Sequence, residues 1–277
     1  MAPPSNNAQL RALVSQFTSY TGASEKIATK FLRLAGYKIN DAINEYYHQN
    51  EGAAPAASTL ISELGSLFDS LRDDEKDGKN SMELASTMNY LNNELKVNIE
   101  NAELFVALEL LQAPTIGEIS REGYVAGWKS SNVNASHKEH AKHLRKVIKA
   151  LPKDAALFKR VYKYAFVVGR ENDQKSLSLD TALIYWDMLF APPGMPWKNA
   201  HRDWLALWKK FLAEKWTRSV NRDMWNMVLE FAFKSIEDDS VSFWNEDGAW
   251  PSVIDEFVEW CRANGVGKPE KMEVDEA

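Results

Sequence analysis

Three groups of residues in this 277-residue chain are of types that could carry chemistry. The first is His137, His140 and His143. Steps of three residues turn by about 60° around a helix, so at most two of these rings can converge on one ion. Lys138, Lys142, Arg145, Lys146 and Lys149 surround them, and that positive field opposes a cation. The segment reads as the solvated basic face of a helix packed through Leu144, Val147, Ile148 and Leu151. The second group is the acidic turn Asp73-Asp74-Glu75-Lys76-Asp77-Gly78. Asp73, Glu75, Asp77 and Gly78 fall at positions 1, 3, 5 and 6 of a calcium loop, whose position 12 should be a bidentate Glu. Leu84 stands there, and Glu83 comes one residue early, rotated by about 100° on a helix start. The third is Cys261, seven residues after Ile254 on one apolar stripe, where a thiol packs as a small hydrophobe.

No catalytic set emerges. The chain has no Gly-x-Ser-x-Gly elbow, phosphate loop, His-Glu-x-x-His or Gly-x-Gly-x-x-Gly. No catalytic, metal or cofactor residue is assigned, and the chain reads as a binding protein. The stretch Gly248-Ala249-Trp250-Pro251 through Asp255-Glu256-Phe257 is the most distinctive. Pro251 is read as the first residue of a helix, where a missing N–H costs nothing. Val253, Ile254, Phe257, Val258 and Cys261 form its apolar stripe, and Asp255, Glu256 and Glu259 fall off it. Those carboxylates are either the solvated face of a packing helix or an acidic patch for a basic partner.

Charge favours a protein partner. The net charge is −6, but residues 1–50 carry +2 and residues 237–277 carry −9. Nucleic acid needs a basic footprint, which this balance does not supply. An acidic end steers basic protein surfaces instead. No apolar run reaches the ~18 residues of a membrane span, and the start lacks a basic-then-apolar leader pattern. One cysteine excludes an internal disulfide framework and a Cys-based zinc cluster. These features point to the cytoplasm and nucleus.

The elements that must position these residues are helical throughout. Residues 8–49 read as three short helices: Leu10, Leu13, Val14 and Phe17; then Ile27, Phe31, Leu32 and Leu34, stopping at Gly36; then Ala42, Ile43, Tyr46 and Tyr47. Residues 50–59 read as an Ala/Pro/Ser linker, residues 60–263 as a larger all-helical domain, and residues 264–277 as a disordered acidic tail. The acidic turn gives that domain a degenerate, EF-hand-like motif without metal. Met88, Leu91 and Leu95, then Leu104, Phe105, Leu108, Leu110 and Leu111, make apolar rows that are either core or the border of a small pocket. Ser120 is read as a helix N-cap. Nine of the ten tryptophans follow residue 185, which predicts a densely packed second half. Asp223, preceding Met224, Trp225, Met227 and Val228, suits a helix N-terminus.

Two resemblances rest on these residues. Tyr20-Thr21-Gly22, with the helix–loop–helix Phe31 to Ile43, resembles a ubiquitin-associated (UBA) domain. That resemblance implies ubiquitin contact by Tyr20, Thr21, Gly22, Tyr46 and Tyr47. The segment departs from the family in lacking Met before Gly22 and in ending its third helix with a Tyr pair. Tyr185-Trp186, Asp223-Met224-Trp225-Asn226-Met227, and Gly248-Ala249-Trp250-Pro251 through Asp255-Glu256-Phe257 resemble the defective-in-cullin-neddylation family, with a potentiating-neddylation domain over 60–263. The resemblance implies a scaffold-type ligase component for cullin neddylation, without catalytic residues of its own. It implies a cullin-binding patch of Asp223, Ala249 and Asp255. It also implies an apolar pocket for the N-acetylated Met of the neddylation-conjugating enzyme, lined by Met88, Leu91, Leu104, Ala107, Leu108, Leu111, Ile119 and Tyr185. The competing reading is a ubiquitin receptor or adaptor acting through residues 8–49, with ubiquitin or the cullin modifier as its partner.

Overall fold

The structure, a computed structural model, describes residues 7–21, 23–49, 56–171 and 174–266. It is all-α, with four two-residue strands paired into two ribbons. Among the described residues no helix is long and apolar enough to cross a membrane.

Helices α1 (Asn7–Thr21), α2 (Glu25–Leu34) and α3 (Ile39–Gln49) form the small domain. Its centre is aromatic. Phe17 stacks on Phe31 with centroids 6.3 Å apart, and Tyr46 meets both edge-on at 5.6 and 5.2 Å. Gly36, at φ +59°, turns the chain out of α2 in the left-handed region, and the Tyr37 N–H returns to the Leu32 carbonyl at 2.7 Å. The inward set on α2 is Ala28, Phe31 and Leu32. Ile27 and Leu34, read from sequence as part of the same apolar set, stand 39% and 63% exposed. They lie to one side of the inward set, where so small a unit has few side chains left to cover them.

The larger domain starts with α4 (Ala56–Leu71), so the last four residues of the stretch read as linker are helical. Alanine is the best helix former, and composition alone understated that. Residues 50–55, and the acidic tail beyond Val266, lie outside the described residues. There follow β1 (Ser81–Met82), α5 (Leu84–Asn89), a π-helical turn (Tyr90–Glu94), α6 (Glu103–Leu110), β2 (Ile119–Ser120), α7 (Arg121–Ser130), α8 (His137–Ala150) and α9 (Ala155–Gly169). The second half holds β3 (Ser176–Leu177), α10 (Leu179–Phe190), α11 (Trp204–Lys215), β4 (Val220–Asn221), α12 (Arg222–Glu237) and α13 (Ser252–Ala263). β1 pairs antiparallel with β2, and β3 with β4. Arg121 fastens the first ribbon to α4. Its guanidinium is ion-paired with Asp69, donates to the Gly65 and Lys79 carbonyls, and lies 4.7 Å from the Phe68 ring centroid.

Polar side chains start α7 and α12, at Ser120 as the sequence predicts and at Asn221, two residues before the Asp223 assigned to that helix N-terminus. Ser120 caps α7 by accepting the Gly123 N–H at 3.1 Å, and Asn221 caps α12 through the Met224 N–H at 2.8 Å. Pro251 sits one place earlier than read from sequence. It is the N-cap of α13, and its carbonyl accepts the Ile254 N–H at 2.8 Å.

The tryptophan-rich half forms one continuous core. Trp225 of α12 is stacked between Tyr162 of α9 at 4.5 Å and Trp186 of α10 at 5.3 Å. The same rings are cross-linked by hydrogen bonds. Trp225 Nε1 donates to the Tyr162 carbonyl at 2.9 Å, while the Tyr162 hydroxyl donates to the Trp225 carbonyl at 2.9 Å. Trp186 Nε1 donates to that hydroxyl at 2.8 Å. Tyr162→Phe leaves the buried Trp186 indole N–H unpaired and removes a second bond to the Trp225 carbonyl, which keeps its intrahelical partner. A loss of about 1–3 kcal/mol in urea unfolding is expected, and a loss below about 0.5 kcal/mol would show that the triangle is not a main tie.

His140 is fully buried, with its ring stacked on Trp128 at 3.8 Å. Burial, aided by His137 and His143, lowers its pKa from 6.5 to about 3. It is therefore neutral in the fold, and the unfolded chain takes up the proton first. Stability from this group is complete above pH 6.5 and falls between pH 6.5 and 3. Between pH 7 and 5 the parent is expected to lose about 2 kcal/mol that His140→Phe does not lose, measured by paired denaturant titrations.

Candidate partner-binding site

The tryptophan-rich half carries two acidic features, one at the head of α12 and one at the entry to α13. Asn221 satisfies the first turn of α12, so Asp223, two residues on, has no capping duty. Its carboxylate is exposed and enters no ion pair among the described residues. There it adds to the favourable interaction of a negative charge with a helix N-terminus.

Ala249 and Asp255 belong to one local unit. The turn before them closes with the Gly248 N–H on the Asn245 carbonyl at 3.0 Å. A Cβ at Gly248 would lie 2.9 Å from that carbonyl oxygen and 3.0 Å from the Trp250 ring, so the tight return needs glycine. Trp250 then packs 5.9 Å from Phe231 and 6.0 Å from Phe243, leaving Ala249 exposed beside it. Asp255 is half-buried, and its Oδ1 accepts the Trp244 indole N–H at 2.8 Å. The Arg262 guanidinium lies 4.6 Å from the Trp244 ring centroid. Asp255 is thus held in one orientation, while Glu246, Asp247, Glu256 and Glu259 around it are exposed. Contact between Phe231 and Phe257, at 5.6 Å, joins the bodies of α12 and α13. The surface can therefore present a positioned carboxylate, a small residue beside a tryptophan, and diffuse negative charge.

The eight residues of the implied pocket lie deep. Leu91, Ala107, Leu108, Leu111 and Ile119 are fully buried, Leu104 and Tyr185 nearly so, and Met88 is half-buried. Tyr185 meets Phe105 of α6 edge-on at 4.8 Å, a neighbour that the sequence reading assigned to the apolar row but not to the pocket. Gly169, the last residue of α9, made Tyr185's seat. A Cβ there would fall 2.3 Å from the Tyr185 ring. Burial raises the Tyr185 hydroxyl pKa to about 12, so it is a neutral donor at physiological pH.

The residues implied for ubiquitin are divided. Tyr20 is 45% exposed, and its carbonyl accepts the Tyr47 hydroxyl at 2.8 Å. Thr21 is buried and donates to the Phe17 carbonyl, and Tyr46 packs into the aromatic centre. Gly22 lies outside the described residues.

The acidic turn uses its carboxylates on itself. Asp77 accepts the Asp73 N–H at 2.8 Å and the Glu83 N–H at 2.9 Å, and Asp73 accepts the Glu75 N–H. Cys261 is buried, and desolvation raises its pKa to about 12, so the thiolate is suppressed.

A family model described as "Cullin binding" matches residues 139–260, and one described as "UBA-like domain" matches residues 11–53. Defective in cullin neddylation protein 1 of Pyricularia oryzae is 39% identical over 275 residues, covering 96% of this chain and 97% of the relative. The protein of the same name from Cryptococcus neoformans is 32% identical over 274 residues, covering 92% and 95%. That of Mycosarcoma maydis is 30% identical over 310 residues, covering 94% and 97%. Similarity of this extent runs through both the small domain and the acidic surface, and the chain belongs to the defective-in-cullin-neddylation family.

Proposed function

We propose that this protein promotes cullin neddylation as a non-covalent scaffold. Its acidic surface at Asp223, Ala249 and Asp255 grips the basic C-terminal domain of a cullin. Its apolar pocket holds the N-acetylated methionine of the neddylation-conjugating enzyme. Residues 8–49 are the UBA-like unit and residues 60–263, extended to the start of α4, the potentiating unit; the protein works in the cytoplasm and nucleus.

The observation that carries the reading is the fixed orientation of Asp255. A carboxylate locked by an indole N–H forms an ion pair without losing side-chain freedom on binding. Ala249 is short enough for the partner's backbone to approach the surface. Acetylation suits the second site for a simple reason. A free α-amine is largely protonated at neutral pH and costly to bury, whereas an acetyl amide is neutral and needs only hydrogen bonds. Holding both partners converts modifier transfer into an effectively intramolecular step. The modifier rides on the conjugating enzyme's own cysteine, so the scaffold needs no nucleophile.

Asp255→Arg is expected to weaken binding to a purified cullin C-terminal domain by about thirtyfold or more in calorimetry, with an unchanged circular dichroism spectrum. Equal binding by parent and variant would remove the patch assignment. For the second site, a peptide with the conjugating enzyme's N-terminal sequence should bind at least about tenfold more tightly when acetylated. Equal affinity of the free-amine and acetylated peptides would contradict the pocket reading.

A further inference from the structure

One wall of the implied pocket crosses from one kind of helix to another. Met88 lies in the last turn of α5, and Leu91 lies in the π-helical turn Tyr90–Glu94. There the Leu95 N–H donates to the Tyr90 carbonyl at 3.0 Å. An i→i+5 bond takes one more residue into the turn than an α-helix does, and such turns are rare and concentrate at functional sites. Two ties hold this one. At its start Tyr90 is fully buried, and its hydroxyl accepts the Trp128 indole N–H of α7 at 3.0 Å. At its end the Glu94 carboxylate accepts the Nδ1–H of His137, the first residue of α8, at 2.8 Å. The His137 ring also meets Tyr90 edge-on at 6.1 Å, so the two ties adjoin. Its Nε2 is buried and has no hydrogen-bond partner among the described residues, which leaves Glu94 as the ring's polar anchor. Between the ties Asn92 and Asn93 are exposed, and Leu91 is fully buried. Beyond them Lys96, at φ +58°, turns the chain, and the Val97 N–H returns to the Leu91 carbonyl at 2.9 Å.

We propose that Glu94 and His137 are positioning residues for the apolar pocket, on the reading of that pocket given above: their bond fixes the end of the π-helical turn and thereby the place of Leu91 beside Met88. Neither is among the eight lining residues, so they act through the backbone of the turn. Relaxation of the turn to α-helical pairing rotates the side chains on one side of it by about 100° relative to those on the other. The placement of Leu91 relative to Met88 therefore depends on the turn being held. A site that takes one apolar side chain is sensitive to this, because a wall about 1 Å out of place no longer fits its ligand. The two ties differ in what they risk. The Tyr90–Trp128 bond lies inside the core, and the stack of His140 on Trp128 depends on the same ring. The side chains of Glu94 and His137 are 37% and 26% exposed, so their bond can be cut without opening the core.

The test compares the full chain with Glu94→Ala, His137→Phe and Glu94→Gln, the last of which keeps an acceptor for the imidazole N–H. Three readouts are taken: amide hydrogen exchange at Leu95, the Met88 methyl resonance, and calorimetric affinity for an acetylated peptide of the conjugating enzyme's N-terminal sequence. In Glu94→Ala and His137→Phe the Leu95 amide is expected to exchange at least about tenfold faster, the Met88 methyl to move, and the peptide to bind about tenfold more weakly. Glu94→Gln should return exchange and affinity to within about twofold of the parent. The Val228 amide of α12, in the distant tryptophan core, should not change. Unchanged Leu95 exchange overturns the proposal, as does equal acceleration at Val228, which marks a global loss of stability. Parent-like peptide binding by Glu94→Ala and His137→Phe overturns it as well. If the parent itself does not bind the acetylated peptide, the pocket reading fails. The positioning role then stands or falls with the Leu95 exchange and the Met88 methyl, both of which are read in the free protein.

Discussion

Much of the larger domain depends on one reciprocal exchange, the pair of hydrogen bonds between Tyr162 and Trp225. Each residue uses a side-chain donor to satisfy the other's backbone carbonyl, and the two rings stack in the same contact. Each carbonyl also accepts its own helix's N–H, and the buried Trp225 indole N–H needs this acceptor, so the exchange fixes the rotation of α12 on α9 as well as their distance. Trp186 adds α10 to the same hydroxyl. Three helices from distant parts of the sequence are thereby tied at one point, and α12 carries Asp223 outward from it. A purely apolar core of the same volume would bind α12 as tightly but would tolerate rotation, and the surface at its head would not be fixed.

The entry to α13 and the core are therefore parts of one packing problem. Phe231 touches Trp250, Phe243 and Phe257, so the segment between α12 and α13 and the first turns of α13 rest on one side chain of α12. Trp244 then reaches from that segment to Asp255. Burial of large aromatic area gives the strength. The indole N–H groups give the orientation, because each needs one acceptor in one direction.

The fold class and the helices' core faces were legible in the sequence because helical periodicity and capping residues are local signals. Ser120 lies where its type predicts a helix start, and Cys261 lies in the core where its spacing from Ile254 placed it. What was not legible depends on contacts between distant residues. Whether Ile27 and Leu34 face a neighbour is decided by the absence of a second layer over α2, and an apolar residue type carries no sign of that. The chain can show that Asp255 is off the apolar stripe, but not that Trp244, eleven residues earlier, will hold it. The seat of Tyr185 on Gly169 and Phe105 likewise joins three segments that no periodicity connects.

The bond from Trp244 to Asp255 also shapes how this surface can change over time. Asp255 contributes at once to the integrity of α13's entry and to the charge shown outside, so a substitution there is judged twice. Glu246, Asp247, Glu256 and Glu259 are exposed and bear no such double burden. Drift in surface charge has its freest path through that outer ring, while the anchored carboxylate stays put. Closely related copies would then be expected to differ around a constant centre.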